Sequence, residues 1–236
     1  MRMMVSVLRR AGQAALDMLF PPRCVGCGSF GAFLCLRCEE GLPRATPPRC
    51  AVCWQPYKGS DLCPKCRQQR PAFAGLRSPY IFRETVRELV HGLKYDHQAA
   101  LAVPAVSLLS RYLERDGLKV DMLIPVPLYP RRERARGYNQ SALLARGLGR
   151  LVGLPVEERA LVRERNTPSQ AERVSADERR LNVEGAFRYR GEGLRGQRVL
   201  LIDDVATTGA TLDACARVLR EGGATSVWAL TLARED

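Results

Sequence analysis

Beyond Arg70, apolar positions fall alternately into short continuous runs and stripes at helical spacing. The clearest run, Val199–Ile202, reads as a strand buried on both faces. Behind it Leu212, Cys215, Val218 and Leu219 share one face of a helix over Leu212–Glu221, which Gly222-Gly223 stops. Upstream, Ser78–Phe82 has the aromatic, β-branched character of a strand. Glu84–Tyr95 carries Val86, Leu89, Val90 and Leu93 on one helical face, closed by Lys94-Tyr95 where a cation complements the dipole. Ala99–Leu113 predicts a second striped helix, Asp121–Val126 a buried strand ended by Pro125 and Pro127, and Ser141–Leu151 a helix with Leu143, Leu144, Leu148 and Leu151 inward. Val156–Val162 and Ser226–Leu232 predict two more strands. Strands alternating with helices imply an α/β fold, a parallel sheet with helices on both faces joined by right-handed crossovers.

The first part of the chain lacks this alternation. Val5, Leu8, Ala15, Leu19 and Phe20 predict a short amphipathic helix over 1–23, packing on the body in preference to lying on a membrane. Arg9, Arg10 and Asp17 interrupt any apolar stretch of signal or membrane-spanning length, so a cytoplasmic protein is expected, with peripheral membrane association as the variant. Eight of the 9 cysteines fall in Cys-x-x-Cys pairs: Cys24, Cys27, Cys35 and Cys38, then Cys50, Cys53, Cys63 and Cys66. Each Cys-x-x-Cys turn sets two sulfurs on one side of a knuckle, and two knuckles complete a closed tetrahedral site, which favours two structural Zn²⁺ over disulfides. Sequential pairing is expected over an interleaved one. Stretches this short and rich in Pro and Gly need such a staple, so a double ribbon over 24–70 precedes a domain over 71–236. Cys215 belongs to the core.

The chemistry concentrates just past the Val199–Ile202 run. Asp203 and Asp204 stand at the carboxyl end of that strand, where open α/β sheets collect ligands. Ala206, Thr207, Thr208, Gly209, Ala210 and Thr211 then lead into a helix whose first amides, dipole and threonine hydroxyls can close on a phosphate, with Gly209 free to take a positive φ. Two carboxylates beside an anion cradle would repel a simple phosphate. A ribose 5′-phosphate reconciles them: its diol meets the acids and its phosphate meets the loop.

Two other polar stretches accompany this site. Val126–Gln140 is a loop that carries Arg131, Arg132, Arg134 and Arg136 before Gly137-Tyr138, then Asn139 and Gln140. It is placed to meet a second anion. Arg163–Gly185 is long, charged and poor in apolar residues, the character expected of a mobile loop or a hood over a site, and within it Thr167, Gln170, Arg179 and Asn182 stand out. His91 and His97 fit no metal pattern and read as surface or cap residues.

Charge changes the picture little. Lys+Arg 37 against Asp+Glu 25 gives +12, which two zinc tetrathiolates would reduce to about +8. The protein stays basic, which suits polyanionic partners.

Val199–Thr211 resembles the phosphoribosyl pyrophosphate (PRPP) motif of type I phosphoribosyltransferases. Over most of its length the chain is similar to the ComF family, including GntX-type proteins. That resemblance rests on Leu19–Cys27, Leu93-Lys-Tyr95, Pro125–Leu128, Arg131, Arg136–Gln140, Thr167-x-x-Gln170, Arg179-x-x-Asn182, Gly185–Phe187 and the acid-pair strand. It implies a double zinc ribbon on a type I phosphoribosyltransferase-like domain that binds PRPP with Mg²⁺. In that fold Arg131, Arg136, Asn139 and Gln140 form the pyrophosphate loop. It also implies a role in natural competence or growth on DNA, with single-stranded DNA and uptake proteins at the inner membrane face as partners. The competing reading is a sensor of PRPP or a nucleotide that acts as an adaptor. Purine-salvage members of the wider superfamily carry an Asp three residues after the second acid; Thr207 stands there, which disfavours a purine acceptor.

Overall fold

The computed structural model describes residues 21–59, 61–166, 183, 185–191 and 193–236. The helix expected at the N-terminus and the hood residues Thr167, Gln170, Arg179 and Asn182 lie outside the described residues. The chain divides into two compact units between Leu42 and Pro43.

In the first unit an Arg23–Phe30 bridge closes the first knuckle, Gly28 turns it at φ 74°, and helix α1 (Leu36–Glu40) carries the second Cys-x-x-Cys pair, with Cys35 at its N-cap and Cys38 within it. The larger unit opens with a knuckle of the same build, bridged between Arg49 and Pro56, and leads into α2 (Pro64–Gln68) with proline in its first turn. In both knuckles the first cysteine's amide bonds a carbonyl five residues on, Cys24 to Ser29 and Cys50 to Gln55.

The rest of the larger unit is the parallel sheet the sequence predicts. Its elements are β1 (Gly75–Arg77), β2 (Tyr80–Ile81), α3 (Glu84–Lys94), α4 (Ala102–Asp116), β3 (Met122–Pro125), α5 (Pro130–Arg136), α6 (Gln140–Val152), β6 (Arg198–Ala206), α7 (Ala210–Glu221) and β7 (Ser226–Arg234). The strand order is β1-β7-β6-β3, with β2 also on β7, and every pairing is parallel. β6 lies in the middle, with Leu201 beside Ile124 on one flank and Ala229 on the other. Val199 and Leu201 join Leu212, Cys215, Ala216 and Leu219 of α7 in one buried cluster, while α6 packs on β3 and β6. The apolar run is thus buried because both of its faces are covered.

Three stretches differ from the expected pattern, each for a local reason. The strand expected over Ser78–Phe82 is broken at Pro79, which has no N–H for a ladder, and its carbonyl instead accepts from Ala45 N. Val156–Val162 is not one strand: Val156 bridges Leu123, then Glu157 Oε1 accepts from Arg159 N and Ala160 N and turns the chain away. The chain then enters β4 (Leu161–Arg163), which pairs antiparallel with β5 (Phe187–Tyr189) in a separate ribbon. The arginine-rich loop contains a helix, α5. Pro130 supplies its preset φ in the first turn, and Gly137 ends it at φ 83°.

Candidate active site and metal centres

The carboxyl end of β6 opens into a cavity of about 630 Å³. Its wall takes Asp203, Asp204, Ala206, Thr207, Gly209, Ala210 and Thr211 from β6 and the start of α7. Lys94 and Tyr95 come from the end of α3, Arg132 and Arg136 from α5, Gln140 and Ser141 from the start of α6, and Arg163 from β4.

Adjacent residues on a strand face opposite ways, so the two acids are gripped by different helices. Asp203 Oδ1 accepts from Ser141 Oγ at 2.7 Å and from Asp204 N at 2.9 Å. Ser141 is held there because Asn139 caps α6, accepting from Ser141 N at 3.0 Å while its Nδ2 donates to the Val126 carbonyl. Asp204 Oδ1 accepts from Val205 N at 2.7 Å, and Asp204 Oδ2 lies 2.9 Å from Lys94 Nζ. Burial pushes the Asp203 carboxyl up to about 7, helped by the Asp204 charge and opposed by Lys94. Burial works against the Lys94 charge, but the two carboxylates outweigh it and hold its ammonium above the usual lysine range.

The opposite wall is latched to this one. Tyr138 Oη donates to the Leu93 carbonyl at 2.9 Å, His97 Nδ1 bonds the Arg136 carbonyl at 3.0 Å, and the Arg136 guanidinium lies over the Tyr95 ring. A carbonyl only accepts, so His97 carries its proton on Nδ1. Arg136 also donates to Gln140 Oε1. On the phosphate side Gly209 takes φ 79° at the N-cap of α7 and makes no side-chain cap, and of the first-turn amides Ala210 N donates to Thr208 Oγ1 at 3.4 Å.

The chemistry this supports is that of an ester-like anion held at two ends. Carboxylates can accept from hydroxyls, a helix start can take a phosphate, and Arg132, Arg136 and Lys94 place positive charge in the same wall.

Both cysteine clusters fit a tetrahedral metal. In each, the four sulfurs lie within 4.8 Å of one another, and the sets are sequential: Cys24, Cys27, Cys35, Cys38 and Cys50, Cys53, Cys63, Cys66. The Cys24–Cys35, Cys27–Cys35 and Cys53–Cys63 sulfur separations are 3.6, 3.7 and 3.6 Å. A tetrahedron with Zn–S near 2.3 Å requires about 3.8 Å. Both sites share an amide-to-sulfur contact of 3.4 Å, Cys35 N to Cys24 Sγ and Cys63 N to Cys50 Sγ. The second cluster is buried in the core of the larger unit with Phe73 and Leu76. Beside it Arg234 is 1% exposed, and its Nε and Nη1 have no hydrogen-bond partner. Cys53, Cys66 and Asp236 are the opposite charges acting on it. A zinc tetrathiolate there, with net charge −2, would add to the counter-charge beside this buried cation.

The chain matches a double zinc ribbon domain over residues 15–67 and a phosphoribosyl transferase domain over residues 136–236. It is 33% identical over 211 residues to the DNA utilization protein YhgH of Escherichia coli O157:H7, covering 85% of this chain and 90% of that one. Competence protein F of Haemophilus influenzae is 31% identical over 229 residues, 87% of this chain and 99% of that one. Competence protein ComFC of Bacillus subtilis is 31% identical over 209 residues, 85% and 84%. The chain belongs to the ComF family. Among solved structures, a purine phosphoribosyltransferase from Pyrococcus horikoshii aligns at a TM-score of 0.36 and 19% identity, over 56% of this chain and 71% of that one.

In this ComF-family protein the acid pair and most of the loop after it share one cavity, joined by Arg136 and Gln140. Thr208 lies outside that wall, lining a smaller recess with Cys53, Cys66 and Phe73. Arg131 is exposed on α5 and outside the wall, and Asn139 acts on the site only as the α6 cap. Sequence reasoning missed Lys94, Ser141 and Arg163 as wall residues, while Arg132 belongs to the arginine run expected to meet a second anion. Lys94 carried a signal, being a lone cation at a helix end within the Leu93-Lys-Tyr95 motif. Ser141 sits directly after the Asn139-Gln140 pair, where a capping reading of Asn139 would have placed it at a helix start. No helix among the described residues is long and apolar enough to cross a membrane.

Proposed function

We propose that this cavity binds PRPP and that the protein is a phosphoribosyltransferase acting in the uptake or utilisation of DNA. The observation that carries the reading is the meeting of three features in one cavity: the Asp203/Asp204 pair, the glycine-opened helix start at Gly209, and the cations Lys94, Arg132 and Arg136. In this reading the acids accept from the ribose diol and the 206–211 loop takes the 5′-phosphate. Arg132 and Arg136 face the pyrophosphate and stabilise charge on it as it departs. Asp203 and Asp204 stand where Mg²⁺ bound with PRPP would be accommodated, and that ion would supply Lewis-acid charge neutralisation beside Arg132 and Arg136. The names of the relatives, DNA utilization and competence proteins, support the cellular role. Exposed Arg131 and Arg134 on α5 offer a basic surface for single-stranded DNA.

The test is calorimetry with PRPP and Mg²⁺, followed by pyrophosphate release screened over nucleobases, amines and single-stranded DNA. Binding with release in the presence of one acceptor class is the expected result. Absence of PRPP binding overturns the site reading, and binding without release with any acceptor overturns transferase activity. DNA binding through arginines should weaken steeply with added salt.

A further inference from the structure

Lys94 is the last residue of α3, where the helix dipole alone would leave a lysine head in solvent. Instead its Nζ reaches Asp204 Oδ2 at 2.9 Å, with the Asp204 side chain only 3% exposed. We propose that Lys94 is a positioning residue of the acid pair, its ion pair with Asp204 Oδ2 fixing the second acid behind the acceptor that Asp203 offers a ligand hydroxyl. The proposal rests on the reading that the pair receives the ribose diol.

The oxygens of the pair divide unequally. Asp204 uses Oδ1 on Val205 N and Oδ2 on Lys94, and Asp203 uses Oδ1 on Ser141 and on Asp204 N. Asp203 Oδ2 is therefore the open acceptor of the first acid. Asp204 Oδ2 is itself buried against Lys94, so Lys94 need not leave for a ligand to enter; it sets where the second acid stands beside Asp203 Oδ2.

Several groups face the acids from the elements around them: Lys94 from α3, Ser141 from α6, Arg163 from β4 and the Cys215 thiol from α7. Lys94 is in direct ion-pair contact. Without its charge the repulsion between the two adjacent carboxylates is less opposed, and the proton that Asp203 already holds in part near pH 7 stays on to higher pH. A protonated acid donates where the diol also donates, and the site fails while the fold stands.

The experiment uses the full-length, zinc-loaded protein with ¹³C-labelled aspartate, following the acid-pair carboxyl resonances against pH without ligand. Asp203→Asn and Asp204→Asn spectra assign them. Lys94→Met should move the titration midpoint up by about one pH unit or more, whereas Lys94→Arg should leave it near the wild-type value. PRPP affinity near pH 7 should fall about tenfold or more in Lys94→Met and recover as pH rises, with Lys94→Arg close to wild type. If Lys94→Met does not fold, Lys94→Gln removes the same charge with a smaller change in polarity. An unmoved midpoint in the neutral variant overturns the proposal. If the midpoint moves and the wild-type protein does not bind PRPP, the positioning role stands and the diol reading falls.

Discussion

Ser141 Oγ donates to Asp203 Oδ1 across 2.7 Å, so the first turn of α6 holds the first acid of β6. The bond exists because Asn139 caps that helix and fixes where Ser141 points. Ser141→Ala should weaken PRPP binding by about tenfold, the low end for a hydrogen bond to a charged group, because Asp203 Oδ1 keeps its bond from Asp204 N. Calorimetry at pH 8, with an unchanged Tm as control, checks this; undiminished affinity would mean Ser141 is only packing.

Asp203 makes stability and binding run in opposite directions with pH. Its carboxyl titrates at about 7 in the folded protein against an ordinary value of 3.8. Between those values the folded state holds more protons than the unfolded one. The stabilisation from this group is therefore complete below about pH 4 and lost as pH rises through about 7. Asp203→Asn should gain Tm relative to wild type as pH is raised from 5 to 8, and lose PRPP affinity. Other titrating groups are common to both proteins and cancel in the difference. A Tm difference that is flat with pH would refute the elevated titration.

The two arginines expected to act together should separate. Arg136 lines the cavity and is braced by Gln140 and Tyr95, whereas Arg131 is exposed outside the wall. Arg136→Ala should reduce PRPP affinity by roughly tenfold or more, and Arg131→Ala by less than about twofold, at fixed salt. Equal losses in both would place the pyrophosphate elsewhere.

Metal analysis should return two zincs per chain, one for each cysteine set. Cys66→Ser removes a ligand buried in the core of the larger unit and should lower its Tm by roughly 10 °C or more. Cys27→Ser should cost one zinc and leave that transition in place, since Cys27 is exposed and belongs to the smaller unit. The same readout tests Arg234: Arg234→Met should speed zinc loss to a chelator from one site only, and equal release from both sites would count against its role as counter-charge.

What the sequence made legible was whatever local pattern decides. The Val199–Ile202 run, the acid pair, the glycine at 209 and the paired cysteines each carry their structural meaning within a few residues, and all stand where expected. The α5 helix was also written locally, in Pro130 and Gly137, but its run of arginines has no apolar face and so reads as loop. Contacts between distant elements were not legible. Lys94 meets Asp204 and Ser141 meets Asp203 only because the sheet brings the ends of α3 and α6 to the end of β6. Arg234 likewise looks like an ordinary strand-end cation until the second cluster is folded beside it.

The boundary between Leu42 and Pro43 decides how the protein can be cut. An expression fragment begun at Pro71, on the view that both ribbons are detachable, would strip Phe73 and Leu76 of the cysteine layer they pack against. It would also leave the buried guanidinium of Arg234 with no sulfur anion beside it, and break the Arg49–Asp236 pairing at the chain's far end. Trimming should stop at Pro43, keeping one metal with the ligand-binding half.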